Sequence, residues 1–209
     1  LPGVRTANVT LFLNAGGLAA SLFFVTLYLQ VVLGYSAFAV SAVFAPVTLL
    51  ILVLSPHAAR LTGRYGVRTL LTTGLALLTA GMLLLARVPV EGGLLDVLPA
   101  MLLLALGSAL AYAPTFVAAS SGVPDSDQGA AAGLIGATQE LGTAVCLAVL
   151  AYAATATTGP VASPAALTAG YRTGLLGAAA LLAVATLVAL RTPRDLGRTP
   201  PVTPVATAD

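Results

Sequence analysis

The chain has 209 residues, of which 58% are hydrophobic but only 8% are charged, whereas an average soluble domain has about 25% charged residues. A soluble globule so poor in charge could not cover its surface with polar groups, so the composition excludes that class and indicates a membrane protein. The net charge of +2 comes from arginines at the ends of apolar runs rather than on one polar face, which excludes nucleic acid as a partner.

Six apolar runs are long enough to cross a bilayer, because a spanning helix needs roughly 20 mostly apolar residues. These spans are predicted at residues 9–33, 38–55, 69–87, 96–118, 129–154 and 173–190. The runs are continuous and rich in Ala and Leu rather than alternating, which excludes strands and predicts an all-α membrane protein. Residues 1–8 are predicted to form a linker, residues 34–36 a turn, and the Pro-, Thr- and Arg-rich residues 191–209 a disordered cytoplasmic tail.

A basic segment separates the second and third spans. No charged residue occurs from residue 6 to residue 59, and Arg60, Arg64 and Arg68 then follow within nine residues. We expect a loop here, with Pro56 leading the chain out of the second helix. If the segment were helical instead, the three arginines would form one basic stripe along the membrane surface.

The distribution of arginine predicts the orientation of the spans. With six spans both termini lie on one side, together with the connections between spans two and three and between spans four and five. That side has seven arginines: Arg5, Arg60, Arg64, Arg68, Arg191, Arg194 and Arg198. The other side has only Arg87 and Arg172. By the positive-inside rule, both termini are predicted to be cytoplasmic in a bacterial plasma membrane protein.

Three stretches carry a resemblance to a known family. They are residues 27–36 (Leu-Tyr-Leu-Gln-Val-Val-Leu-Gly-Tyr-Ser), residues 59–68 (Ala-Arg-Leu-Thr-Gly-Arg-Tyr-Gly-Val-Arg) and residues 129–150, which begin Gly-Ala-Ala-Ala-Gly-Leu-Ile-Gly. Together they resemble the C-terminal half of a major facilitator superfamily transporter, in the branch of fourteen-span multidrug:proton antiporters. The similarity covers about residues 5–192.

The resemblance implies a fold, an activity and partners. The fold would be a half bundle of six helices built from two inverted three-helix repeats, and the activity would be proton-coupled efflux of amphipathic or cationic small molecules. Besides the lipid bilayer, the partners would be the substrate, protons, and either a missing N-terminal half or a second copy of the chain. The implied function is transport rather than catalysis, and no cofactor is expected.

The basic segment matches the signature loop that follows the second span of each half in this family. The corresponding positions are Arg60, Gly63, Arg64, Gly66 and Arg68, and the copy is degenerate. Gly63 stands where the family has an acidic residue, which helps to hold the inward-closed state through a helix end. We therefore expect this copy of the loop to keep only its basic, positioning role.

Glu140 is the one acid well inside a predicted span. At 1.5 Å per residue it lies roughly 16 Å from the start of span five, where an ionised carboxylate must be protonated, paired or in contact with water. Two interpretations stay open. Glu140 is either a proton or cation-substrate site, or a neutral acid hydrogen-bonded to a neighbouring helix, with Gln139 nearby.

Other polar residues within the spans are weaker candidates. Asn14 and Gln30 of span one are 16 residues apart, too far to form one compact site, and each either contacts substrate or bonds a neighbouring helix. Tyr112 and Thr115 flank Pro114 in span four, where they either line a cavity or bond the backbone that the proline frees.

The remaining motifs predict neither metal binding nor enzyme activity. His57 has no Cys, Asp or Glu at ligand spacing, and Cys146 lies in an apolar run as a small hydrophobic residue. The chain has no catalytic constellation and no phosphate-binding glycine loop. Two alternatives to a transporter half remain: a truncated remnant without function, and a membrane scaffold or channel subunit without alternating access.

Overall fold

The computed structural model describes residues 2–120, 123–161 and 163–192, and these ranges contain six long helices and no strand. The helices are α1 (Pro2–Leu27), α2 (Ala37–Tyr65), α3 (Val67–Leu85), α4 (Leu94–Ser120), α5 (Gln128–Thr158) and α6 (Pro164–Ala189). A π-helical segment, Tyr28–Val32, extends α1, and a 3₁₀ turn, Asp125–Asp127, precedes α5. All six helices are long and apolar enough to cross a bilayer, so the predicted all-α, multi-pass membrane fold is confirmed.

Local signals in the sequence set several helix ends. The side chain of Ser36 accepts a hydrogen bond from the Ala39 amide at the start of α2, and Ser163 does the same for Ala166 at the start of α6. These serines are N-caps, because each satisfies one of the amides that a helix start leaves without an intrahelical partner. At the other end of α5, Gly159 has a φ of 71° and stops the helix.

The basic segment is helical rather than a loop, which corrects the prediction. Arg60, Gly63 and Arg64 lie in the last two turns of α2, and Pro56 lies inside this helix instead of ending it. A proline removes only one helical hydrogen bond, and in a membrane protein the backbone gains more by continuing the helix than by leaving its remaining groups unpaired. The other interior prolines are Pro46 of α2 and Pro99 and Pro114 of α4.

The reversal occurs at one residue, Gly66, between α2 and α3. Its backbone adopts φ 84° and ψ 156°, a conformation that glycine reaches without strain because it has no Cβ. Arg68 consequently belongs to α3, and the three arginines do not form one stripe on a single helix. The predicted N-terminal linker also differs, since residues 2–8 are part of α1, whereas residues 193–209 of the predicted tail lie outside the described residues.

The packing pattern repeats between the first three and the last three helices. α1 packs against α5 and α6, α4 packs against α2 and α3, and α3 also packs against α6. Exchanging α1, α2 and α3 with α4, α5 and α6 maps these five contacts onto one another, although α5 packs against α6 more extensively than α2 packs against α3. Because each set of three helices crosses the membrane three times, the second set starts from the opposite side, as inverted repeats do.

Glycines allow two of these helix pairs to approach backbone to backbone. A Cβ on Gly74 of α3 would lie 2.7 Å from the Ala111 nitrogen and 2.8 Å from the Gly107 oxygen of α4. A Cβ on Gly142 of α5 would lie 2.9 Å from the Phe12 Cα of α1. Close approach at small residues is the main way in which helices pack in a membrane, where lipid removes the hydrophobic drive for association.

The two ends of the bundle differ in charge and in contacts. One end, here called the arginine end, contains Arg5, Arg60, Arg64, Arg68 and Arg191 among the described residues. A small buried cluster joins the helices there, formed by Ala7, Leu11, Val67, Ala118 and Ile135.

At the far end, the Tyr28 hydroxyl donates to the Pro89 carbonyl at 2.7 Å, and Arg172 Nε donates to the Val88 carbonyl at 2.9 Å. The connection between α3 and α4 is thus held by side chains from both repeats.

Candidate functional site

A groove of about 380 Å³ opens between α1, α2 and α4. Its walls are mostly aliphatic, and each of the three helices contributes at least one hydroxyl-bearing residue to the lining. The hydroxyl-bearing residues are Ser21, Ser55, Ser108 and Tyr112. The lining contains no Asp, Glu, Lys, Arg or His, so the groove is suited to an apolar or amphipathic molecule and offers no fixed charge of its own.

Asn14 lies on the same face of α1 as the groove lining. Residues 14, 18, 21 and 25 are spaced four, three and four apart, so they form one stripe, and Leu18, Ser21 and Val25 line the groove. Asn14 is one turn nearer the arginine end and only 7% exposed. Its Oδ1 has no hydrogen-bond partner within the described residues. An unpaired buried amide costs about 1–3 kcal/mol, so Asn14 stands out as a polar group that packing alone does not explain.

The other candidates on α1 and α4 separate into lining and structural residues. Tyr112 is 59% exposed and lines the groove. Thr115 is buried, and its hydroxyl donates to the Ala111 carbonyl at 2.6 Å within α4. Gln30 is exposed in the π-helical segment at the far end, away from Asn14.

Glu140 and Gln139 do not reach the groove. Both lie on α5, which contributes nothing to the groove lining, and the Glu140 side chain is exposed on the outside of the bundle. Glu140 is the thirteenth residue of α5, so it lies about 18 Å along the helix at 1.5 Å per residue. An exposed carboxylate at that depth would be unfavourable against lipid alone.

Two of the six helices are covered far less than the others. In the most apolar stretch of each helix, 17% of residues are buried in α2 and 22% in α5, against 39–44% in the other four. Under exchange of the two repeats, α2 and α5 are equivalent. The least covered surfaces therefore follow the repeat symmetry, and one of them carries Glu140.

The basic segment has few internal contacts. The Arg60 and Arg64 side chains are exposed, and the Arg64 guanidinium lies 5.4 Å from the centre of the Tyr65 ring. Arg68 is half-buried at the start of α3. The arrangement places two exposed cations where α2 leaves the apolar part of the bundle. In the described ranges no three His, Cys, Asp or Glu side chains come together as a metal site would require.

Comparison with known proteins supplies the family. Residues 4–147 match the family model described as the Major Facilitator Superfamily. The chain belongs to this superfamily. The matched region includes α1 to α4 and most of α5, so it contains the whole groove.

Individual relatives in the superfamily are bacterial export and resistance proteins. The chain is 35% identical to the cephamycin export protein of Amycolatopsis lactamdurans over 99% of its own length and 43% of the relative's. It is 33% identical to the puromycin resistance protein of Streptomyces alboniger, over 83% and 37% of the two lengths. A multidrug resistance protein of Mycobacterium tuberculosis is 31% identical over 60% of the chain. The chain spans less than half the length of the relatives that it matches.

Several residues that line the groove or join two helices could not be identified from the sequence. Ser21, Ser55 and Ser108 face the groove, and serines at these positions in an apolar run give no periodic signal of their own. Asn8 of α1 accepts a hydrogen bond from Thr138 of α5 at 3.1 Å. An interhelical bond of this kind could be suggested from sequence only by noting that small and polar residues share one face of α5.

Proposed function

We propose that this chain is one half of a secondary transporter that exports amphipathic or cationic small molecules from a bacterial cell. The groove between α1, α2 and α4 is its half of the substrate path. The observation that carries the proposal is the composition of the groove, which is an apolar surface without fixed charge. Two of its four hydroxyls, those of Ser21 and Ser55, donate to backbone carbonyls of their own helices. Such a surface holds molecules by their apolar parts and leaves few strict polar requirements. The export and resistance names of the relatives support the same function.

The exposed surfaces of α2 and α5 favour the presence of a second half. A groove that opens on one side becomes a closed path only when another bundle faces it. The low coverage of α2 and α5 indicates where that bundle would pack, and an exposed carboxylate on α5 favours protein or water over lipid as its neighbour. The second bundle would be either an N-terminal half or a second copy of this chain.

The proposed orientation places the arginine end in the cytoplasm. Among the described residues, five arginines lie at this end and two, Arg87 and Arg172, at the other, which satisfies the positive-inside rule. Reporter fusions at residue 160 and after residue 209 test this orientation. Only the fusion after residue 209 should give a cytoplasmic signal, and equal signals at the two sites would contradict it.

Transport is tested by blocking the groove. In the full-length protein that contains this half, Ser108→Phe should abolish export of a fluorescent amphipathic dye, because the ring would fill the space between α1, α2 and α4. Leu176→Phe is the matched control, since this residue is 50% exposed on α6, a helix outside the groove. Both variants should be present in the membrane in equal amounts. Unchanged export by Ser108→Phe, or equal loss in both variants, would contradict the assignment of the groove.

Proton coupling is assigned to Glu140. A carboxylate in the middle of the membrane can pick up and release a proton as its surroundings change from water to protein. Glu140→Gln keeps the shape of the side chain but cannot titrate, so dye export should lose its dependence on an imposed pH gradient while downhill dye movement continues. Export that still follows the gradient in this variant would remove Glu140 from the coupling mechanism.

A further inference from the structure

A second concave site lies at the arginine end, between the start of α1 and the end of α6. It has a volume of about 290 Å³ and is lined by Arg5, Thr6, Val9, Val188 and Arg191. We call it the Arg5–Arg191 pocket. It is separate from the groove, because α6 contributes nothing to the groove lining. The two arginines come from helices at opposite ends of the sequence, so their proximity is a product of the fold.

The described lining of the pocket is positively charged. It contains two arginines, Arg5 and Arg191, and no Asp or Glu. Two guanidinium groups that line one pocket repel each other, and an anion between them removes this repulsion. Guanidinium binds phosphate through two parallel hydrogen bonds, so a phosphate group is the ligand that such a pair suits best.

The walls of the pocket favour a lipid over a soluble anion. Val9 and Val188 are the apolar residues of its lining. Along α6 the exposed apolar side chains of Val184 and Leu187 follow. Residues 184, 187, 188 and 191 are spaced three, one and three apart, so they form one stripe down the helix. A headgroup phosphate at the arginines would therefore place an acyl chain along this stripe.

We propose that the Arg5–Arg191 pocket binds the phosphate of an anionic phospholipid. The lipid fills the gap between the first and last helices of the half, and its acyl chain lies along α6. Basic pockets between membrane helices bind headgroups in this way. The proposal depends only on the chain lying in a bilayer and not on the transport function.

The experiment counts lipids that stay bound to the purified full chain in native mass spectrometry. Phosphatidylglycerol should be retained and phosphatidylcholine should not. The double variant Arg5→Gln/Arg191→Gln should bind phosphatidylglycerol roughly 30-fold more weakly, because each arginine near an anionic lipid contributes a factor of about five. Residues 193–209 stay in every variant.

The matched control is Arg60→Gln/Arg64→Gln, which removes two exposed arginines from the same end of the bundle. It should retain phosphatidylglycerol as the unmodified chain does, and equal loss in the two double variants would overturn the proposal. Arg5→Lys/Arg191→Lys keeps the charge and should retain most of the lipid even if the Gln variant folds poorly. Retention of inorganic phosphate by the unmodified chain without retention of phosphatidylglycerol would show that the pocket is a site for small anions and not for lipid.

Discussion

Gly142 offers the sharpest test of the packing, because it can be compared with another glycine on the same helix. A Cβ at Gly142 would lie 2.9 Å from the Cα and the carbonyl carbon of Phe12, where ordinary contact begins at 3.4 Å. The Phe12 carbonyl oxygen would lie closer still, and backbone atoms cannot rotate away, so α1 and α5 must move apart by more than half an ångström. Overpacking of this kind costs about 1–3 kcal/mol.

Gly133 of α5 supplies the control, since a Cβ there meets nothing within 4 Å. Alanine in place of glycine favours a helix by up to about 1 kcal/mol at either position, so the difference between the two variants isolates the packing term. For a chain of this size, each kcal/mol shifts the Tm by about 2–4 °C. Gly142→Ala should therefore unfold about 2–12 °C below Gly133→Ala.

The assay is thermal unfolding of both purified variants in the same detergent, followed by far-ultraviolet circular dichroism. Size-exclusion profiles before heating show whether each variant is monodisperse at the start. Equal Tm values would refute the reasoning, because they would mean that α1 and α5 do not meet at Gly142.

Three further outcomes are expected in the same assay. Arg172→Met should lower stability by about 1.5–3 kcal/mol, because the guanidinium donates two bonds to the Val88 carbonyl, whereas the exposed Arg87→Met should leave the Tm unchanged. Gly66→Ala should cost about 1–3 kcal/mol, since alanine is strained at a φ of 84°, and an unaltered Tm would contradict a single-residue reversal there. Asn14→Leu should raise stability by about 1–3 kcal/mol by removing an unpaired buried amide, with reduced export; a lower Tm would show that the amide is paired.

The number of helices and the fold class follow from the sequence because lipid imposes a simple requirement. Every backbone group inside the bilayer must be paired, so long uncharged runs have to be helices. The prediction of a loop in the basic segment was wrong for a related reason. Pro56 and three arginines suggested a loop, but α2 continues to Tyr65 because one missing hydrogen bond does not end a long helix.

The groove could not be predicted in the same way. Which side chains share it depends on how α1, α2 and α4 are rotated against one another, and an apolar run in a membrane carries no amphipathic signal to fix that rotation. The nearby Pro114 predicts that Tyr112 lines a cavity, and Tyr112 does line the groove. The prediction for Glu140 rests on its depth in the membrane, and depth does not show which way α5 turns this side chain.

The prolines of α2 and α4 have a consequence for the mechanics of the groove. These two helices hold Pro46, Pro56, Pro99 and Pro114 in their interiors, whereas α1, the third wall, has no interior proline. Each proline leaves the carbonyl four residues earlier without its helical partner and weakens the rod at that point. Two walls are thus compliant at fixed positions, and the third is stiffer along most of its length. The width of the groove can adjust to contents of different size by flexing the backbone, without exchanging the side chains that line it.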